Sequence, residues 1–142
     1  VRRLNLTAYV LAGLCVAGPA AAQNDKTDTR QLVLQGAFAE TLQSAESASG
    51  RVNSAGLFDQ GLAAFALKDF ERAAGLFAQV AQAPGDRELA IRAAVAASFS
   101  LAKMGDQAGA CEYTAIVRPL VAKMPLLWRG LVDETRRSNN CT

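Results

Sequence analysis

The chemistry open to this chain is limited first by a missing residue type: its 142 residues include no histidine. The commonest general base and the commonest zinc ligand are therefore absent. Three cysteines are present, Cys15, Cys111 and Cys141, and no Cys-x-x-Cys spacing joins any two of them. The redox chemistry of that motif is not available here. The sequence has no Gly-x-Ser-x-Gly, no glycine-rich phosphate loop and no metal-binding spacing. The carboxylate pairs Asp133-Glu134 and Asp69/Glu71 have the wrong spacing to share one helix face. An acid–base pair of the glycosidase type would have to come from distant carboxylates, and nothing singles any out. The expectation is a non-enzymatic protein with no catalytic residue, metal or cofactor. The alternatives are a small secreted carboxylate-dependent enzyme or enzyme accessory, or a purely structural alanine-rich bundle.

The two later cysteines take their meaning from the start of the chain. Arg2-Arg3 form a positive region, Leu6 to Gly18 an apolar core of 13 residues, and Ala20-Ala21-Ala22 the small residues of a cleavage site. Residues 1–22 therefore read as an export signal, cut after Ala22, with an uncleaved anchor as the alternative. The apolar run is shorter than the ~20 residues a spanning helix needs. Leu14 before Cys15 argues against a lipoprotein site, and the residues after Arg2-Arg3 fit the twin-arginine pattern poorly. The leader resembles bacterial export signals, so the periplasm or the exterior is the predicted location, with no membrane insertion after cleavage. In that oxidising setting the even pair Cys111 and Cys141 reads as a structural bridge, with two free thiols as the alternative. Closing a loop of about 30 residues would contribute about 3–4 kcal/mol in the chain-entropy model.

Charge excludes another class. The 15 basic residues less Arg2 and Arg3 leave 13, against 13 acidic ones, and Arg136-Arg137 is the one basic pair that stands out. Nucleic acid is not the expected partner.

The elements that must carry any site are helical. Half of the residues are apolar, 6% are aromatic, and no run alternates as a strand would. The predicted fold class is all-α, with 23–142 forming one domain. Residues 23–27 form a polar lead-in. Asp28 caps a helix to Ser49, with Gln31 as capping-box partner and Gly50 as its stop. Ser54 caps a helix to Leu67, and Asp69 caps its partner to Gln82, ending at Pro84-Gly85. Asp86 caps a longer helix from Arg87 to Met104. Asp106 caps one that ends at Val117 or Arg118, before Pro119. Pro125 starts the last helix, to about Ser138, whose expected buried side is Leu127, Trp128, Leu131 and Val132.

The stretch 54–84 carries a repeat signature. Leu57 and Gly61 stand four apart, and Phe70, Ala73, Phe77 and Val80 follow on the next helix, with Pro84 closing the unit. Aligning Lys68-Asp69 with Gly105-Asp106, an offset of 37 residues, brings Ala73 onto Ala110 and Val80 onto Val117. This pattern resembles the tetratricopeptide repeat, with a first copy at 54–84 and a fainter one at 86–118. Ala64 stands where the family favours an aromatic residue. The resemblance implies a helical-hairpin solenoid of about two repeats, with 28–49 and 125–138 as capping helices. It also implies a peptide-binding concave face formed by the first helix of each pair: Phe58, Leu62 and Phe65 from one copy, and Arg92, Val95, Phe99 and Lys103 from the other. Such a groove has an apolar floor and two cations, and would suit an extended peptide with a hydrophobic anchor and a carboxylate. The alternative is that the helix at 28–49 fills it.

Overall fold

The computed structural model describes residues 29–47, 52–83 and 85–142. Residues 1–22, read above as an export signal, and Asp28, Ser49-Gly50 and Pro84 lie outside those residues. Among the described residues the chain is helical with no strand. The helices are α1 (Thr29–Leu34), α2 (Phe38–Ser47), α3 (Ser54–Ala66), α4 (Phe70–Gln82), α5 (Arg87–Lys103), α6 (Gln107–Val121) and α7 (Leu126–Ser138).

Helix starts are set by side chains that accept from orphan backbone N–H groups. Asp69 accepts from the N–H of Arg72, Asp86 from Glu88 and Leu89, and Asp106 from Gly109. For α3 the cap is Asn53, whose Oδ1 accepts from Gly56 N–H at 2.8 Å, so the predicted cap Ser54 is instead the first helical residue. Asparagine caps at least as well as serine.

Four helix ends, those of α1, α3, α5 and α7, share one device. At Gly36, Lys68, Gly105 and Asn140 the backbone turns left-handed, with φ of 75°, 64°, 84° and 51°. In each case that residue's N–H bonds three residues back and the next N–H bonds five back, as in Lys68 to Phe65 and Asp69 to Ala64. This double bond satisfies two orphan carbonyls and closes the helix. At Lys68-Asp69 and Gly105-Asp106 the residue after the stop caps the next helix, so two residues reverse the chain.

Gly36 corrects the reading of one helix across 28–49. Its turn divides that stretch into α1 and α2, with Ala37 N–H bonding Leu32 O at 2.9 Å. A second correction lengthens α6, which continues through Pro119 to Val121. The bond Pro119 cannot make is the one to Ala115 four residues earlier. Both residues are exposed, so water can serve that carbonyl, and the extra turn buries Val121.

Packing is mostly between chain neighbours: α3 on α4, α4 on α5, α5 on α6. Around this run, α1 and α2 pack on α3, and α7 packs on α6 and α5. One core joins Leu42, Ala63, Ala64, Ala73, Phe77, Val80, Ile91, Ala94, Val117 and Val132. Alanine dominates the helix contacts, which lets neighbouring backbones approach closely.

Candidate functional site

The side chains of three helices enclose an apolar pocket of about 170 Å3, lined by Leu62 and Phe65 of α3, Phe77 of α4, and Ala96 and Phe99 of α5. Its floor exists because of a glycine. A Cβ on Gly61 would stand 2.5 Å from Cε1 of Phe77, so only the bare backbone of α3 lets that ring in. Phe77 is fully buried, and its ring lies 5.3 Å from that of Phe58. Two turns along, Phe65 meets Phe70 edge-on at 5.2 Å. The pocket is smaller than the ~300–1,000 Å3 of small-molecule sites, so its size fits a single apolar side chain of a larger partner.

The residues singled out from the sequence divide between this surface and the core. Leu62, Phe65 and Phe99 line the pocket, and Phe99 is 41% exposed. Phe58 packs on Phe77 and does not line it. Val95 is buried in the core, and Ala96 takes the lining position that it was expected to hold. Arg92 and Lys103 are exposed on the same stripe of α5 as Ala96 and Phe99, at spacings of three, four and seven residues. Neither cation makes an ion pair among the described residues. The guanidinium of Arg92 lies 5.4 Å from the centre of the Trp128 ring, a cation–π contact that joins α5 to α7.

Among the described residues, the helices that precede α3 contribute nothing to the pocket lining. Asp59 accepts from Arg30 at 3.2 Å and from Thr29 at 3.4 Å, which fixes α1 to α3. Asp59 and Gly61 are two residues apart, so they lie about 200° apart around the helix. The contact with α1 is thus nearly opposite the contact with Phe77 on Gly61, and no described residue of α1 or α2 lines the pocket.

At the other end a polar clasp holds α7. Cys111 and Cys141 stand at disulfide distance, with Cα atoms 5.4 Å apart. Inside that bridge, Asn139 donates to Ser98 Oγ at 2.9 Å, and Ser98 donates to Ala110 O at 2.7 Å. Gln107 donates to Asn139 O, and Arg136 donates to Cys111 O and Thr114 Oγ1. The sequence pointed to the cysteines but not to Asn139. The expected buried side of α7 also needs correction. Leu127 is 76% exposed and Leu131 39%, while Val132 and Thr135 are buried. Thr135 is tolerated there because its hydroxyl bonds Leu131 O at 2.8 Å.

Comparison with protein-family models, with curated proteins and with solved structures finds no match to this chain.

Proposed function

We propose that this chain is an exported, periplasmic or secreted helical-repeat protein of the tetratricopeptide-like kind, acting as a peptide-binding scaffold or adaptor in the cell envelope. The observation that carries this reading is the apolar pocket of Leu62, Phe65, Phe77, Ala96 and Phe99, which lies on one stripe of α5 with two cations unpaired among the described residues. An apolar anchor would enter the pocket while a carboxylate of the same segment meets Arg92 or Lys103. The two-residue reversals at Lys68-Asp69 and Gly105-Asp106 and the neighbour-to-neighbour packing support the repeat interpretation. The bridge at Cys111 and Cys141 accords with an oxidising destination.

The test is selection of phage-displayed peptides on the full chain. Recovered peptides should share an apolar residue next to an acidic one, and Leu62→Glu should abolish their binding while leaving the helical signal intact. Recovery of no peptide, or equal binding by the Leu62→Glu protein, would overturn the reading.

A further inference from the structure

We propose that α7 supplies a second apolar subsite to this groove, in which Leu127 and Leu131 take a second anchor, so that the bound segment carries an acidic residue between two apolar ones. This rests on the groove reading above and specifies its occupant.

The placement follows from the contacts around α7. Successive residues turn by about 100°. Arg136 reaches α6 through Cys111 O and Thr114. Trp128 reaches Arg92 of α5, and Asn139, just past the helix end, reaches Ser98 of α5. Moving round α7 from its α6 side to its α5 side and on in the same sense, the next side chains are Leu131 and then Leu127. They are 39% and 76% exposed. They therefore extend the surface on which Arg92 and Phe99 lie. Leu126, also exposed, points about 100° further round and belongs to the outer side.

Arg92 thus stands between two apolar sites. Ala96, one turn along α5, lines the first, and Trp128 borders the second. Packed helix axes are about 8–10 Å apart, so with the offset along α5 the two sites are about 10–15 Å apart. An extended segment spans that distance in about three to four residues. A carboxylate in the middle would meet a guanidinium already held over an indole ring and shielded on one face from water. Glu134, about one turn beyond Leu131 in α7, is engaged by Arg137 in the same helix. The same charge argues against a second copy as occupant. A two-fold contact through this surface would set Arg92 near its own counterpart, and like charges brought together oppose association.

The test selects phage-displayed peptides on the full chain and measures fluorescein-labelled synthetic representatives by anisotropy. Wild-type selections should yield two apolar residues bracketing Asp or Glu. Those peptides should bind the Leu127→Glu/Leu131→Glu protein about tenfold or more weakly, the equivalent of about 1.4 kcal/mol, with an unchanged melting curve. Should that variant melt early, Leu127→Ser/Leu131→Ser replaces it, with the same loss expected. Peptides with a single apolar cluster, bound equally by wild type and variant yet lost on Leu62→Glu, would overturn the second subsite and leave the groove reading standing. Equal binding by the Leu62→Glu protein would remove both. A dimer in sedimentation that the Leu127/Leu131 substitutions disperse would give the surface a different occupant and overturn the proposal. So would a photo-crosslinker at Leu131 that joins it to residues 1–28 of the same chain.

Discussion

Phe77 and Gly61 are the two residues on which the centre of the molecule depends, and they depend on each other. The ring is fully buried against the glycine, so either partner's change is felt by both helices. Phe77→Ala should cost about 3–5 kcal/mol, read from a urea denaturation midpoint, as large-to-small core changes do. Gly61→Ala should also destabilise, by about 1–3 kcal/mol, although alanine is the better helix former. The added methyl meets ring atoms of Phe77 at 2.5, 2.7 and 2.9 Å and has no space to occupy. Lys68 offers the opposite sign. It holds φ at 64° without being glycine, on an exposed turn. Left-handed backbone costs about 1–2 kcal/mol for a residue with a Cβ, and part of that returns as glycine's greater freedom in the unfolded chain. Lys68→Gly should therefore raise stability by about 0.5–1 kcal/mol, seen as a higher melting temperature. The glycine-against-phenylalanine contact was legible in the sequence because small and aromatic residues recur there at helical spacing. The positive φ at Lys68 was not, since lysine carries no signal for it and only the following Asp69 marks the turn.

Helix starts that carry an aspartate were legible to the residue, and those were the starts of α4, α5 and α6, although α6 runs three to four residues past its expected end. Where a boundary falls inside continuous apolar periodicity, the pattern is blind to it. Leu34 and Phe38 stand four apart across the left-handed turn at Gly36, so the spacing carries on although the helix does not. In α7 the face was half right: Val132 is buried and Trp128 packs on the core, but Leu127 and Leu131 are exposed, because the clasp at Asn139 and Cys141 fixes the helix's rotation and neither residue lies within it. That clasp makes α7 a test of element stability. Its fully or nearly buried side chains are Val132 and Thr135, few for a helix of 13 residues. Much of its attachment is therefore covalent and polar. Cys141→Ser should lower global stability by up to about 3–4 kcal/mol if chain entropy accounts for the bridge. The loss should be uneven: amide exchange should rise first in α7 and least in α4 and α5. Uniform loss across all helices would show that α7 is integral to the core and not a clasped addition to it.

At the scale of the molecule, each helix rests mainly on its neighbours in sequence, so a change is felt locally and its side of the stack decides its effect. Leu62 and Phe77 make this a sharp comparison, because both line the same pocket from different depths. Phe77 comes from beneath, fully buried, and holds α3 to α4. Leu62 is half-buried at the rim, three residues and so about 60° around α3 from the α1 contact at Asp59. If α1 and α2 covered the groove, Leu62→Glu would place a carboxylate in an apolar interface and unfold the chain much as Phe77→Ala does. None of their described residues lines the pocket, where Leu62 is only half-buried, so the glutamate can turn toward water. Leu62→Glu should therefore shift stability by no more than about 1 kcal/mol, while Phe77→Ala shifts it several times as far. Thermal melts of the two variants measure that difference directly. Peptide binding should follow a different order, lost in Leu62→Glu while the fold persists. A Leu62→Glu protein that melts with Phe77→Ala would mean that the pocket is an internal packing surface, and the groove would then have no role in binding a partner.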